Sequence, residues 1–367
     1  MVELVLGWTK TQPTGFGGQL ACGARAFDTR PAVDKNGTLV FHHGGITVHF
    51  PFADALDEVV AWCGANPDEL VVMTVWSCEG DGCDDLVAST LAAAGISPVT
   101  DCGFFANMTL GGARQRAAGL PGGGQLLVVT GATEGEESCS YSNYEPDVAC
   151  SGFDTITASA PADLSMAVAG CLAAAGVAET DGALPVDALA PGQAAALISC
   201  AAGLAERAAA ESAAGGAAED KDAGGTAGGT ADFHALAAGN VSSAVYRCYV
   251  GDDREAFPKQ RMRSYLDATS QGFAGSPAAA TGQLWQMQAL WQESAASVVL
   301  GTLSRSSLLG DEARSAWNAD LAVDVAAGRW SAINLLEVNN VCDGGPQLLD
   351  ALRAWWSAQR ATASAQP

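Results

Sequence analysis

Gly23-Ala24-Arg25-Ala26-Phe27-Asp28-Thr29-Arg30-Pro31, followed after a turn by Leu39-Val40-Phe41-His42-His43-Gly44, is the stretch whose reading decides the fold. Ala24 to Asp28 and Leu39 to His42 read as short, largely apolar strands. Between them stands Asp34-Lys35-Asn36-Gly37, and Asn-Gly is the strongest two-residue hairpin signal. With Asn36 and Gly37 as the central turn residues, Lys35 pairs with Thr38 and Arg30 falls opposite His43. Opposed residues share a face, and Asp28 lies on that face two residues from Arg30. The spacing therefore predicts that Asp28, Arg30 and His43 converge. A guanidinium is a planar fork of donors suited to phosphate. An imidazole can give a proton to a leaving alkoxide near neutral pH.

Working outward, Phe52, Ala55, Leu56, Val59, Val60 and Cys63 recur at helical spacing, and Asn66-Pro67 stops that helix. Leu70 to Trp76 is a continuous apolar run, as expected of a parallel strand covered on both faces. Asp84-Asp85 opens a helix to Ala94, closed by Gly95, and Gln125 to Thr130 reads as another buried strand. This alternation argues for an α/β fold with a parallel sheet. Residues 158–239 are Ala-rich, with helical stretches such as Gln193 to Ala210. Within them 212–231 is Ala/Gly/Thr/Asp low complexity, a surface insertion. Order is expected to return at Ala244 to Tyr249. Leu284-Trp285-Gln286-Met287-Gln288 alternates like a strand. Ala313, Trp317, Leu321 and Val325 read as one helix capped by Asp311-Glu312. Ile333 to Val338 is a final strand, and Leu348 to Trp356 belong to a last helix. In the final strand Glu337 is a carboxylate among Ile, Leu and Val, which is expensive to bury unless paired.

The balance of 41 acidic against 18 basic residues gives a formal charge of −23. That argues against nucleic acid and against electrostatic docking on anionic lipid. No apolar run reaches the length of a membrane span. The 11 Cys show no metal-ligand spacing, and disulfides in an oxidising compartment explain them better. Cys139–Cys150, and Cys78–Cys83 or Cys83–Cys102, are the candidate bridges. Met1 to Trp8 lacks the basic and apolar regions of a secretion signal.

The opening stretch resembles the X-type catalytic region of phosphatidylinositol-specific phospholipase C and the wider PLC-like phosphodiesterases. Their pattern is a G-[VA]-R-x-[FL]-D-x-R strand, a turn, an apolar strand ending in His-Gly, a helix ending in N-P-x-E and a buried strand. Here the last parts are Asn66-Pro67-Asp68-Glu69 and Leu70 to Trp76, so the order holds over about the first 80 residues. The resemblance implies a TIM-type (β/α) barrel spanning 1–367 as one domain, with an Ala/Gly-rich insertion at about 200–240. It implies that Arg30 contacts phosphate, that His43 is one of two catalytic histidines, and that Asp28 supports the site. Glu337 matches a late-strand carboxylate near the catalytic histidine, with Asn339 and Asn340 as competing alignments. In calcium-dependent relatives a metal-binding carboxylate stands at the Arg30 position. Arg30 therefore points to chemistry with no cofactor and disfavours calcium or magnesium.

Two departures qualify the resemblance. The family's first histidine lies on a strand ahead of the G-x-R strand, a position that falls before Met1. The chain is thus expected to lack a signal, that first strand and that histidine. His42, His49 and His234 are poor substitutes. Second, the bacterial inositol-lipid enzymes carry a headgroup-binding Lys where this chain has Trp76. Trp76 and Trp285 are accordingly the expected substrate-binding aromatics, and inositol is not carried over as the headgroup. The expectation is a secreted or endomembrane-luminal phosphoric diester hydrolase acting on a lipid or lipid-like diester, with at most transient membrane contact. A catalytically dead binding module on the same barrel and a metal-dependent glycerophosphodiesterase are the alternatives.

Overall fold

The computed structural model describes residues 10–43, 46–100, 108, 110–117, 119–120, 123–132, 140–142, 169–177, 190, 192–197, 199–204, 259–274, 284–291, 307–330 and 333–364. Cys102, the Cys139–Cys150 pair, most of the Ala/Gly-rich insertion and the expected Ala244–Tyr249 strand lie outside them.

The helix expected from the apolar spacing is Phe52–Ala65, which buries Phe52, Ala55, Leu56, Val59 and Cys63. Each large aliphatic or aromatic side chain among them contributes about 1.5–3 kcal/mol on leaving water. The helix ends where Asn66 turns its side-chain amide back to the Trp62 carbonyl at 2.8 Å. Its apolar face lies on Val71, Met73 and Val75 of strand β5 (Leu70–Trp76) and on Phe27 of β1 (Ala26–Thr29). β1 and β5 run parallel with Asp28 beside Thr74. β5 pairs in turn with β6 (Gln125–Ala132), with a bulge after Thr74. Past Thr29 the chain spends one residue, Arg30, before entering a second, antiparallel sheet. That sheet consists of β2 (Pro31–Val33), β3 (Leu39–His43) and β4 (Ile46–Val48).

The hairpin register differs from the sequence expectation by one residue. Pro31 pairs with Phe41 and Val33 with Leu39, and the His42 amide donates to the Arg30 carbonyl at 2.9 Å. Arg30 therefore lies opposite His42, not His43. The cause is Asp34, whose carboxylate accepts the amides of both Asn36 and Thr38 at 2.9 Å. This draws the turn into a three-residue loop, with Gly37 taking the left-handed conformation at φ 78°.

A third sheet runs β7 (Ser140–Ser142), β8 (Leu284–Gln288), β9 (Leu335–Glu337), all parallel. Trp285 and Met287 of β8 bury into a second core with Trp291, Trp317, Trp330 and Trp355. Three of these indoles satisfy their N–H groups inside it: Trp317 on the Ala289 carbonyl, Trp291 on Ser315 and Trp355 on the Trp330 carbonyl. The helix expected across Asp311–Val325 is two helices, Leu308–Ser315 and Trp317–Ala326, broken at Ala316 with φ 51°. Ser315 causes the break by accepting both the Trp317 amide and the Trp291 indole.

The fold is thus α/β with parallel sheets, but the expected TIM-type barrel does not close among the described residues. The parallel strands stand in two sheets. Leu127 and Val129 of the first sheet share one cluster with Ala113 and Ala117 of helix Leu110–Ala117, and Val72 of β5 and Leu335 of β9 each pack against it. The two halves are tied by Cys22–Cys342. Beside that bridge Gly23 holds φ 108°, and a Cβ on Gly345 would lie 2.4 Å from the Cys22 carbonyl oxygen, so both positions require glycine. Cys78 pairs with Cys83 and Cys171 with Cys200, which removes Cys83–Cys102 from the candidates. A long loop loses more unfolded-state entropy on closure than a short one. Cys342→Ser should therefore lower unfolding free energy by about 2–5 kcal/mol, more than Cys83→Ser, in urea titrations without reductant.

Candidate active site

Asp28 is the centre of the site. Its Oδ2 accepts from the Arg30 guanidinium at 3.2 Å, and its Oδ1 accepts from the Trp76 indole N–H at 2.5 Å. The side chains are 14% exposed for Asp28 and 32% for Arg30, so the carboxylate lies beneath and the guanidinium reaches solvent. The register explains the grouping. Asp28 and Thr74 are partners across a parallel pair, so Trp76, two residues on, projects from the same face.

Glu337 approaches from the other parallel sheet. Its Oε2 accepts from the Gln286 side chain at 2.6 Å, and Gln288, its partner in register, adds a second hydrogen bond. Burial first, and then the negative charge of Asp28, push the Glu337 carboxyl up to about 7, against the opposing pull of Gln286, Arg30 and Gln288. Asp28, Arg30 and Glu337 thus sense one another across the gap between the sheets. Gln286 and Gln288 escaped the sequence reading. Their signal was two amides at alternate positions of a strand that otherwise carries large apolar residues.

His43 ends β3, half-buried, in register with Ile46. Trp285 is a correction. It lies on the opposite face of β8 from Gln286, fully buried and stacked on Phe273 at 4.8 Å, so it is core and not a substrate platform. Trp76 is spent on Asp28 as a donor. Asn339 and Asn340 belong to the loop that follows β9. Asn339 donates to the Trp291 carbonyl and to Glu312, while Asn318 donates to both of their carbonyls.

Against known proteins, two curated sequences share 31% identity with this chain over 68 residues. Both are 1-phosphatidylinositol phosphodiesterases of Staphylococcus aureus, from strains Newman and NCTC 8325. The likeness is to a PLC-like phosphodiesterase. The matched segment is 18% of this chain and about a fifth of the relatives' length, 22% and 21%. No family model matches. Solved structures of the phosphatidylinositol-specific phospholipase C of S. aureus superpose with TM-scores of 0.42 and 0.43. They do so at 10% and 12% identity, over 94% of this chain and 85% and 84% of theirs. The architecture rests on the strand order and register given above.

The raised Glu337 carboxyl has a consequence for stability. A folded-state value above the ordinary 4.5 means that its contribution is complete below about pH 4.5 and is lost as pH rises through about 7. Glu337→Gln should remove that part of the slope, roughly 3 kcal/mol at most. Thermal unfolding of both proteins across this window measures it. Parallel profiles would contradict the assignment.

Proposed function

We propose that this chain is a phosphoric diester hydrolase of the phospholipase C type, acting on a lipid or lipid-like diester in an oxidising, extracytoplasmic compartment. The observation that carries the reading is the Asp28–Arg30–Trp76 cluster, with the Glu337 carboxyl close enough to respond to the charges of Asp28 and Arg30. We further propose that the two parallel sheets are arcs of one barrel-like interior, as the packing of Leu335 against the cluster that holds Leu127 and Val129 supports. Active sites of such folds lie at the C-terminal strand ends, where Thr29, Trp76 and Glu337 all stand. The bridges Cys22–Cys342, Cys78–Cys83 and Cys171–Cys200 support the compartment.

In this reading Arg30 binds the phosphoryl oxygens and offsets the charge that builds on them at the transition state, the task a metal performs in other phosphodiesterases. Asp28 fixes the guanidinium by its other carboxylate oxygen, and Trp76 fixes Asp28. Glu337, titrating near neutrality, accepts the proton of the attacking hydroxyl. His43 protonates the departing oxygen as the P–O bond breaks. The proton taken and the proton given balance, and no electron transfer is needed.

Arg30→Ala should lower kcat for a 4-nitrophenyl phosphodiester by at least about 10²-fold, by analogy with loss of one oxyanion donor. Retained turnover would overturn the site. Addition of a chelator should leave the wild-type rate unchanged, and a chelator-sensitive rate would favour the metal-dependent alternative. The acidic limb of kcat should fall as pH drops through about 7, because the base must be ionised. It should be absent from the residual rate of Glu337→Gln.

A further inference from the structure

His42 is the histidine that the family pattern leaves without a task, yet it is buried beside the site. Its ring Nε2 lies 2.6 Å from the Ser77 carbonyl. A carbonyl only accepts, so Nε2 carries the proton. Nδ1 lies 3.3 Å from the exposed carboxylate of Glu79. Its backbone amide holds the Arg30 carbonyl at 2.9 Å.

Ser77 immediately follows Trp76 and takes a left-handed backbone, φ 49°, where a residue with a Cβ is disfavoured. The chain there must leave β5 without turning Trp76 away from Asp28. The next residue is anchored by Cys78–Cys83. Glu79 bonds both ways with β2, its amide to the Pro31 carbonyl and its carbonyl to the Val33 amide. The contacts form a circuit: Asp28 to Arg30, the Arg30 carbonyl to the His42 amide, the His42 ring to the Ser77 carbonyl, and Trp76 back to Asp28.

We propose that His42 is a positioning residue that fixes Arg30 and Trp76 on Asp28 by bracing the backbone behind each of them. The assignment rests on the Asp28–Arg30 cluster being the reactive site, but its test does not read turnover. The full-length chain is labelled with 15N-tryptophan, and the Trp76 indole N–H is assigned by its loss in Trp76→Phe. In His42→Phe, which keeps the ring volume and removes the donor, that signal should move upfield toward a free indole. In His42→Gln, which restores a side-chain N–H, it should stay near the wild-type position. Thr47→Ala, at the exposed β4 position paired with His42, should leave it unmoved. An unmoved Trp76 signal in folded His42→Phe overturns the proposal, and so does an equal shift in His42→Gln or Thr47→Ala. Should His42→Phe not fold, 15N-histidine spectra of the wild type decide. A protonated Nε2 on His42 at neutral pH supports the brace, and a bare Nε2 overturns it. A wild-type chain without turnover would overturn the function proposed above and leave this test intact.

Discussion

Asp28 is shared between a guanidinium and an indole, and the arrangement of the site depends on that division. One carboxylate oxygen takes Arg30 and the other takes Trp76. A half-buried carboxylate needs such partners, because desolvating a charge costs several kcal/mol unless hydrogen bonds replace its water. The partners come from different places. Trp76 is delivered by the parallel register of β1 with β5, and Arg30 by the single residue that joins β1 to the antiparallel sheet. A slip of one residue in the parallel pair would turn Trp76 to the opposite face.

Glu337 belongs to the other half of the molecule, so its place depends on how β9 is held. The end of that strand is gripped from several sides. Gln12 donates to the Val338 carbonyl and accepts the Val341 amide. The Asn340 amide donates to the Thr11 carbonyl, and Cys342 is bonded to Cys22. These contacts link the segment just before β1 to the loop just after β9. Asp28 and Glu337 are therefore neighbours through covalent and hydrogen-bonded ties between chain segments more than three hundred residues apart. The two large hydrophobic cores, one under β1 and β5 and one under β8 and β9, stiffen each side of that junction.

The elements of the first core were legible in sequence, since a 3.6-residue stripe and an unbroken apolar run each have one physical reading. The hairpin register was not. Asn-Gly serves both a two-residue turn and the end of a three-residue loop, and the choice fell to the Asp34 carboxylate, which caps two amides. The helix break at Ala316 was hidden for a similar reason. The four-residue apolar repeat runs straight through it, while the cause is a hydroxyl at Ser315 serving two donors. At the site, Asp28 and Arg30 were found because their local spacing is itself the signal. Trp285 was misplaced because alternation shows that two faces exist without showing which one meets solvent or ligand. The amides of Gln286 and Gln288 carried that information, since a buried strand places polar groups only where they have partners.

The net charge of −23 bears on how this site can hold an anion. The field of distant carboxylates is screened over about 10 Å in salt, so the charges lining the site dominate at contact. With Asp28 ionised, Arg30 protonated and Glu337 neutral, those three sum to zero, and the guanidinium is the outermost of the Asp28–Arg30 pair. When Glu337 ionises, the sum becomes −1. Under the function proposed above, the ionisation that creates a proton acceptor also weakens the attraction for a phosphodiester. A carboxyl titrating at an ordinary acidic value would keep the second negative charge in place throughout the neutral range. Burial of Glu337 and the charge of Asp28, opposed by Gln286, Arg30 and Gln288, hold it near that balance point, where the proposed reaction has both binding and proton transfer available.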